Sequence, residues 1–225
     1  MHIVAVIPAY NEGGRVGTVL RGLAPFVGSI VVVDDASTDT TAQEARSCGA
    51  YVLRHVVNRG QGAALQTGTT YALDVLGADV VIHFDADGQM NAAEIPLLVE
   101  ALIRDEVNIV LGTRRHSKTT GMPFSRKLTL WLGKWFTFFL SGIRVSDTHN
   151  GFRVLSRQAA LSINITLDRM AHASQILDQI QVLGLRFKEV PVTIAYTRET
   201  LQKGQSSLGA LRIVQDILKG KFFDI

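Results

Sequence analysis

The sequence predicts an α/β protein built on a mostly parallel sheet with helices on both faces. Short runs rich in Val and Ile alternate with longer segments of helical periodicity through the first half of the chain. Repeated strand and helix units form parallel sheets, because each connecting helix packs back on a face of the sheet. In addition, a polar cluster directly follows several of the strand-like runs, and such sheets bind ligands beyond the carboxyl ends of their strands.

Composition indicates a single globular domain. The 225 residues suffice for a real core, and a content of 47% hydrophobic and 19% charged residues excludes a disordered chain. The net charge of +3 is too small to indicate a nucleic acid partner, and we expect none. Cys48 is the only cysteine, so an internal disulfide is excluded and a reducing compartment is favoured.

The predicted elements follow one another in a regular order. Five strands are predicted, at residues 2–8, 30–33, 51–55, 79–84 and 108–111. The first helix is predicted from an apolar stripe formed by Val16, Val19, Leu20, Leu23 and Phe26. A short second helix is predicted to begin with Ser37 as its N-cap and to be closed by Gly49. Two further helices are predicted, one from residues 58–62 to about residue 76 and one at about residues 92–104.

Four polar clusters stand where these strands end. They consist of Tyr10 with Glu12, Asp34 with Asp35, residues 58–62, and Asp85 with Asp87. Because the carboxyl ends of parallel strands lie along one edge of a sheet, we expect the four clusters to meet there. The sequence therefore predicts a nucleotide-binding site at this edge.

The pair formed by Asp85 and Asp87 predicts a divalent metal site. Residues i and i+2 of an extended segment project to the same side, so both carboxylates can face one ligand. Close carboxylates repel unless they share a proton or a cation lies between them, and hard divalent cations take carboxylate and phosphate oxygens together. The alternative is a pair of solvated loop carboxylates. A calcium-binding loop is excluded, because Met90 and Pro96 stand where that loop needs Gly and Glu.

A dinucleotide-binding site is the rival interpretation from the same architecture. Gly60 and Gly62 begin like its glycine fingerprint, but Leu65 stands where the third glycine is needed. The loop after the first strand, which normally carries that fingerprint, opens with Pro8 and Ala9 instead. This interpretation is therefore the weaker one.

A series of ordered motifs gives the chain a family resemblance. They lie at residues 7–12, 33–39, 58–63, 85–89, 112–114, 147–153 and 189–192. With these motifs the chain resembles the family 2 glycosyltransferases of the GT-A fold, which is Rossmann-like, and especially the dolichyl-phosphate mannose synthase group of polyprenyl-phosphate glycosyltransferases. The resemblance spans nearly the whole chain and implies an enzyme that uses a nucleotide-sugar donor.

The resemblance also implies roles for individual residues. The donor site would be lined by Pro8, Ala9, Tyr10, Glu12, Val33, Asp35 and Ala86. Asp35 would accept a hydrogen bond from the base, while Asp34 would brace the turn. The metal, Mg²⁺ or Mn²⁺, would be held against the diphosphate by Asp85, Asp87 and Gln89. The residues implied in catalysis are Asp87, Asp147 and Arg153.

Phosphate contacts are implied for a set of basic residues. Arg114, Arg153 and Arg198 are candidates, because a guanidinium binds phosphate oxygens bidentately, and solvated salt bridges are the alternative for each. Lys203 is a further candidate in the loop at residues 198–207. This loop departs from the family pattern, since Ser207 stands at the position of the usual Lys.

A second departure from the family's sequence pattern indicates the kind of acceptor. The group shows a Glu where this chain has Gln175, which cannot act as a base. A lipid phosphate needs no base, because its second pKa of about 6 leaves it largely dianionic at neutral pH. A hydroxyl acceptor does need one, and Asp147 and His172 remain as candidates, with packing as the alternative for His172.

We therefore predict an inverting, metal-dependent transferase that moves a hexose from a UDP- or GDP-sugar to a polyprenyl phosphate. Transfer to a hydroxyl of a growing glycan or lipid stays open within the same class. An alternative of another class is a glycosyltransferase-like binding or regulatory subunit without turnover. Gln175 and the altered basic loop leave room for it, whereas Asp85, Asp87 and Arg153 argue against it.

The apolar stretch at residues 128–143 predicts a helix in the lipid headgroup layer. At roughly 24 Å it is shorter than the hydrocarbon core of about 30 Å, and basic residues flank it. A buried core helix or a dimer interface is the alternative.

With no signal peptide or membrane-spanning run in the sequence, we expect a cytoplasmic protein, peripheral on the inner face of the membrane. A small membrane protein is a possible partner.

We expect a single domain over residues 1–225. Residues 1–115 would form the nucleotide-sugar-binding half, and residues 116–200 the acceptor half with the helix at 128–143. Residues 201–225 would form a basic amphipathic tail.

Overall fold

The structure is a computed structural model that describes residues 1–114, 145–147, 150–167 and 171–195. The predictions for the helix at 128–143, the tail at 201–225, Arg198 and Lys203 lie outside the described residues. Within those ranges, no helix has both the length and the apolar character that crossing a membrane requires.

Seven strands of the described residues form one sheet. They are β1 (Ile3–Ala9), β2 (Ser29–Asp34), β3 (Tyr51–Arg54), β4 (Val80–His83), β5 (Ile109–Thr113), β6 (Arg153–Ser156) and β7 (Phe187–Pro191). Their order in the sheet is β3-β2-β1-β4-β6-β5-β7. Only β6 runs antiparallel to its neighbours, and all other pairs among these strands are parallel. The predicted mostly parallel sheet is therefore confirmed.

Helices cover both faces of this sheet, as predicted. The α-helices in the described ranges are α1 (Val16–Leu23), α2 (Thr41–Ser47), α3 (Gln61–Asp74), α4 (Ile95–Arg104), α5 (Arg157–Ser162) and α6 (His172–Val182). α1, α2 and α4 contribute buried apolar residues to one cluster, and α3, α5 and α6 contribute buried apolar residues to the other. A 3₁₀ turn, Ala92–Glu94, leads into α4.

The central strands are buried on both faces, which explains their nearly continuous apolar sequences. In β1, Ile7 packs on the side of α1 and α4, while Val4 and Val6 pack on the side of α3. All three side chains are fully buried. Burial of one such side chain stabilises the fold by about 1.5–3 kcal/mol.

The position of β6 was not predicted, and it shapes the site. Because β6 runs antiparallel to β4, its first residue lies beside the last residue of β4, where Arg153 pairs with His83. The chain segment that precedes β6 therefore arrives at the edge of the sheet where Asp85 follows β4. A parallel strand would begin at the opposite edge.

One predicted helix boundary was wrong. Ser37 does not cap α2, which begins at Thr41, and Asp39 Oδ1 accepts a hydrogen bond from Thr41 N at 3.0 Å. Ser37 Oγ instead accepts from Asn11 N at 2.9 Å, so it joins two loops. The predicted role of Gly49 is confirmed, since it follows the helix in the left-handed conformation with φ +79°.

The first helix ends earlier than its apolar stripe suggested. α1 ends at Leu23, and the capping residue Ala24 still has helical dihedral angles and donates its N–H to the carbonyl oxygen of Leu20 at 3.0 Å. Pro25 follows and has no N–H to continue the series. Phe26 lies beyond the helix and still packs, partly buried, against the cluster on this face.

Replacing Gly68 by Ala should destabilise the fold by about 1–3 kcal/mol. Gly68 lies where α3 meets the sheet, and an added Cβ would overlap Val6 Cγ1 and lie 3.0 Å from Val33 Cγ2. Urea unfolding measures the change. Gly22→Ala is the matched control: no atom lies within 4 Å of its added Cβ, and the free energy of unfolding should rise by up to about 1 kcal/mol. Equal effects of the two substitutions would contradict the close packing of α3.

Candidate active site

A cleft opens at the carboxyl ends of β1, β2 and β4. Its volume is about 460 Å³, and it is lined by Pro8, Ala9, Tyr10, Glu12, Asp35, Asn58, Gly60, Gln61, Ala64, Asp85, Ala86 and Asp87. The structure thus brings together eight of the residues predicted for the donor and metal sites. Val33 was also predicted to line the donor site, but it does not line the cleft, because its side chain is fully buried and packs toward Gly68 of α3.

The loop after β1 is fixed by the loop after β2. Asn11 adopts a left-handed conformation with φ +53°, and its Oδ1 accepts from Thr38 N at 2.9 Å. Glu12 N donates to Thr41 Oγ1 at 2.8 Å. Tyr10 remains 48% exposed beside the cleft. Its ring therefore offers a surface on which a planar base can stack.

Asp34 braces the turn that follows β2, as predicted. Its side chain is buried, its Oδ1 accepts from Ser37 N at 3.0 Å, and its Oδ2 lies 3.2 Å from Arg54 Nε. Arg54 also donates to the carbonyl oxygen of Ser37 at 2.7 Å. These contacts close the turn from both sides and direct the next residue toward the cleft.

Asp35 is the carboxylate that this turn presents to the cleft. It is 3% exposed and accepts backbone hydrogen bonds from Arg59 N at 2.9 Å and from Gly60 N at 2.6 Å. A third hydrogen bond joins its Oδ1 to His55 Nδ1 at 2.7 Å. Sequence reasoning gave His55 no role, because nothing local shows that the end of β3 reaches this carboxylate.

The glycines at residues 58–62 serve both structure and site. Gly60 has φ +91°, which glycine adopts without strain, and it directs its N–H at Asp35. An added Cβ at Gly62 would overlap the Leu167 carbonyl and lie 2.9 Å from His172 Cβ. These two glycines therefore serve a turn and close helix packing, and Gly60 also lines the cleft.

Asp85 and Asp87 both face the cleft, on the loop after β4. Asp85 Oδ1 accepts from Gln61 Nε2 at 2.8 Å, and Asp87 Oδ1 accepts from Gln89 N at 3.0 Å. The carbonyl oxygen of Gln89 accepts from Ala195 N at 2.8 Å, so the segment after β7 fixes this loop. The cluster at residues 58–62 was predicted to reach this edge of the sheet, but the contact of Gln61 with Asp85 was not, since the two residues lie 24 positions apart in the sequence.

Burial raises the pKa of Asp85 to about 6, and the negative charge of Asp87 contributes in the same direction. The positive charge of Arg153 and the hydrogen bond from Gln61 act in the opposite direction. The charge of Asp87 therefore disfavours the ionised form of Asp85. A cation between them would relieve this repulsion.

Gly151 allows the backbone to approach the Asp85 carboxylate. An added Cβ at this position would lie 2.8 Å from Asp85 Oδ1 and would overlap Oδ2. Asn150 holds the turn, because its Oδ1 accepts from Phe152 N at 3.0 Å. The motif at residues 147–153 was recognised, but the reason for its glycine appears only in the folded chain.

Arg153 places a buried positive charge beside the loop that carries Asp85 and Asp87. It is 3% exposed, and burial lowers the pKa of its guanidinium to about 10, against the attraction of Asp85 and Asp147. Its cross-strand neighbour His83 is also buried, and burial together with the charge of Arg153 lowers the pKa of this imidazole well below its usual value. His83 is therefore neutral and contacts Thr69 Oγ1 through Nε2 at 3.0 Å.

Arg114 and Asp147 form a bidentate ion pair. Arg114 Nε and Nη2 donate to the two carboxylate oxygens, each at 2.6 Å, and Arg114 N donates to Asp147 Oδ2 at 3.1 Å. Glu189 fixes the neighbouring Ser146 by accepting from its N and its Oγ, each at 2.7 Å. The phosphate contact of Arg114 and the catalytic role of Asp147 stay predictions.

Gln175 has a structural role in the described chain. Its Oε1 accepts from Thr166 N at 3.0 Å and from Leu167 N at 2.9 Å, and its Nε2 donates to Thr166 Oγ1 at 2.6 Å. His172 is 2% exposed at the start of α6, where Gly62 packs against its Cβ. This burial agrees with the packing alternative for His172.

The residues present fit a divalent metal ion bound together with a diphosphate. Asp85 and Asp87 supply hard oxygen donors at the cleft, and Gln89 adds an amide oxygen on the same loop. Within the described residues, no cluster of three His, Cys, Asp or Glu side chains is arranged to hold a metal ion. An ion held by two carboxylates keeps coordination positions for phosphate oxygens, as Mg²⁺ does in many nucleotide sites.

A solved structure shares the fold of this chain. The sheet resembles that of glucosyl-3-phosphoglycerate synthase from Mycobacterium tuberculosis, solved with Mn²⁺, UDP-glucose and phosphoglyceric acid, with a TM-score of 0.75. The identity is 22%, and the match covers 97% of this chain and 79% of that chain. The predicted GT-A fold is confirmed by this similarity and by the sheet topology.

Sequence comparison identifies the family. Residues 4–162 match the family model for glycosyl transferase family 2. The chain belongs to this family and is a glycosyltransferase, as its motifs predicted.

Two relatives match most of the chain. A UDP-N-acetylglucosamine–dolichyl-phosphate N-acetylglucosaminyltransferase from Methanococcus voltae is 29% identical over 247 residues, which cover 99% of this chain and 98% of the relative. An undecaprenyl-phosphate mannosyltransferase from Micrococcus luteus is 30% identical over 205 residues, which cover 86% of this chain and 83% of the relative. The resemblance to polyprenyl-phosphate glycosyltransferases is therefore confirmed.

The Asp85 carboxyl should titrate with a pKa of about 6 in the metal-free protein. Asp87→Asn removes the adjacent negative charge and should lower this pKa, because the ionised form is then less disfavoured. Gln61→Leu removes a hydrogen bond to the ionised form and should raise it. Carbon-13 NMR of the carboxyl carbon measures the midpoint of each variant.

Asp74→Asn is the control for this titration, because Asp74 is exposed at the end of α3. It should leave the midpoint of Asp85 unchanged. A midpoint near the ordinary value of about 3.9 would contradict the assigned environment of Asp85. A higher pKa of Asp85 in Asp87→Asn, or a lower one in Gln61→Leu, would also contradict it.

Proposed function

We propose that the protein is an inverting, metal-dependent glycosyltransferase that moves a hexose from a UDP- or GDP-sugar to a polyprenyl phosphate. The observation that carries this proposal is the loop of Asp85 and Asp87, which faces a cleft of about 460 Å³ with Arg153 buried beside it. The transfer takes place at the cytoplasmic face of the membrane, with the protein bound peripherally.

The two ends of the cleft receive different parts of the donor. Tyr10 and Asp35 lie on the β1 and β2 side and bind the nucleoside, with the base against the exposed ring. Asp85 and Asp87 lie on the β4 side and face the diphosphate. The order of the strands in the sheet therefore sets the direction of the donor.

The chemistry needs stabilisation of a leaving nucleoside diphosphate. A divalent ion held by Asp85, Asp87 and Gln89 supplies that stabilisation when it is bound. Arg153 adds a fixed positive charge that is already in place before the donor binds, so little reorganisation is needed during the reaction.

One displacement step accounts for inversion. The acceptor oxygen attacks the anomeric carbon from the face opposite the diphosphate; one carbon–oxygen bond forms, and the bond to the diphosphate oxygen breaks. The electron pair of the broken bond leaves with the nucleoside diphosphate.

A phosphate acceptor agrees with the residues around the site. Gln175 replaces the family Glu and is occupied in holding residues 166 and 167, so it offers no base. A phosphate dianion needs none. The two relatives named above act, by their names, on dolichyl phosphate and undecaprenyl phosphate. A small membrane partner and the interfacial helix at 128–143 remain part of the proposal.

The test incubates the purified protein with sugar-labelled UDP- and GDP-sugars, Mn²⁺ and a polyprenyl phosphate, and then counts label in the organic phase. Label carried there by one of the donors is the expected result. Nucleotide release without label in the organic phase would point to a hydroxyl acceptor or to hydrolysis. If neither label in the organic phase nor nucleotide release is detected, a binding subunit or a missing membrane partner becomes the better interpretation.

Asp87→Ala should reduce metal-dependent transfer at least a hundredfold, because one of the two metal carboxylates is lost. Asp74→Ala removes an exposed carboxylate at the far end of α3 and should leave the rate unchanged. Initial rates at saturating Mn²⁺ compare the two variants. Undiminished transfer by Asp87→Ala would refute the metal assignment.

A further inference from the structure

We propose that His55 makes the donor site selective for a base with a single imide N–H, as in uracil or thymine. It does so as a positioning residue, by occupying one of the acceptor positions of Asp35. The inference rests on the proposed function, since it assumes that Asp35 faces the base of a nucleotide-sugar donor.

The Asp35 carboxylate is almost filled by the protein itself. Oδ1 accepts from Arg59 N at 2.9 Å and from His55 Nδ1 at 2.7 Å, while Oδ2 accepts from Gly60 N at 2.6 Å. An ionised carboxylate has about four acceptor positions, two on each oxygen. Oδ1 is therefore saturated, and Oδ2 retains one position.

That remaining position belongs to the cleft. Asp35 lines the cleft although it is only 3% exposed, so the carboxylate meets a ligand over a small area. A ligand can thus donate one hydrogen bond to Asp35 and no more. A base that donates one hydrogen bond to this buried carboxylate should bind much more tightly than a base that does not. In the second case the polar groups of the carboxylate and the base lose their hydration without gaining a hydrogen bond.

His55 is held so that it keeps its hydrogen bond to Asp35. Its Nε2 lies 3.0 Å from Thr67 Oγ1 on α3, and its backbone N donates to the carbonyl oxygen of Asp34 at 2.9 Å. The side chain is 10% exposed. Because a carboxylate oxygen only accepts, Nδ1 carries the hydrogen that fills the second position of Oδ1.

The edges of the bases differ in what they offer to one acceptor position. Uracil and thymine present one N–H between two carbonyl oxygens, which suits a single position on Oδ2. Guanine presents two adjacent N–H donors, which together need one free position on each carboxylate oxygen. Cytosine and adenine present an unprotonated ring nitrogen at this edge, which a carboxylate repels.

Among the three donors to Asp35, only His55 acts through its side chain. The N–H groups of Arg59 and Gly60 belong to the backbone of the turn into α3, so substitutions of their side chains leave these hydrogen bonds in place. Removal of the His55 imidazole would free one position on Oδ1. The carboxylate would then offer one position on each oxygen, which is the pattern that guanine needs.

The test compares His55→Leu with His55→Asn in the full chain. Asn carries its side-chain amide where the imidazole carries Nδ1, so it preserves the donor to Oδ1, whereas Leu removes it. Isothermal titration calorimetry with Mn²⁺ gives the Kd of UDP, dTDP, GDP, CDP and ADP. UDP and dTDP share the imide edge of the base but differ in the sugar. A comparison of the two therefore separates recognition of that edge from a preference for ribose.

In the unsubstituted protein, UDP and dTDP should bind at least about tenfold more tightly than GDP, CDP or ADP, a difference of about 1.4 kcal/mol. His55→Leu should reduce the ratio of GDP Kd to UDP Kd about tenfold, and His55→Asn should retain it. A purely structural role of His55 would weaken all nucleotides alike and leave the ratio unchanged. Thermal melts with and without UDP show that each variant is folded.

Two outcomes would overturn the inference alone: GDP that binds as tightly as UDP, or a ratio that His55→Leu leaves unchanged. In both, nucleotide binding and sugar transfer persist, so the proposed function stands. If no nucleotide binds to the unsubstituted protein with Mn²⁺ present, the proposed function itself fails, and the inference fails with it.

Discussion

The antiparallel pairing of β6 with β4 is the constraint on which the site depends. It sets Arg153 beside His83 and brings Gly151 against the Asp85 carboxylate, all at the edge where β4 ends. A buried guanidinium costs several kcal/mol unless carboxylates lie close to it. Asp85 and Asp147 provide that attraction, so the same charges that hold β6 in place also prepare the metal-site loop.

Backbone N–H groups and carboxylates build the side of the cleft at the ends of β1 and β2. Asp35 is held by the turn into α3, Asp34 closes the turn after β2, and Asp39 receives the first N–H of α2. Since each of these carboxylates is fixed by N–H donors, the loops are ordered before a ligand arrives. Preorganised polar groups cost little when a charged ligand binds.

The two ends of the cleft therefore have different physical characters. At the β2 end, Asp35 is nearly saturated with hydrogen bonds, and one acceptor position on Oδ2 remains. At the β4 end, Asp85 has a pKa of about 6, because burial and then the negative charge of Asp87 disfavour its ionised form. The first arrangement favours selection among neutral bases, and the second favours binding of a cation. The proposed nucleotide-sugar donor with its metal ion would need both.

The sequence by itself determined the alternating β-α order, the pair of carboxylates that share one side of the loop after β4, and the family, because these follow from periodicity, from i and i+2 geometry and from local motifs. Asp85 and Asp87 were found in this way. The contacts of Gln61, Gly151 and His55 were not predicted, since their partners lie 20 or more positions away in the sequence. Only the tertiary structure decided these contacts and the reversed direction of β6, because long-range pairing depends on packing of the whole sheet.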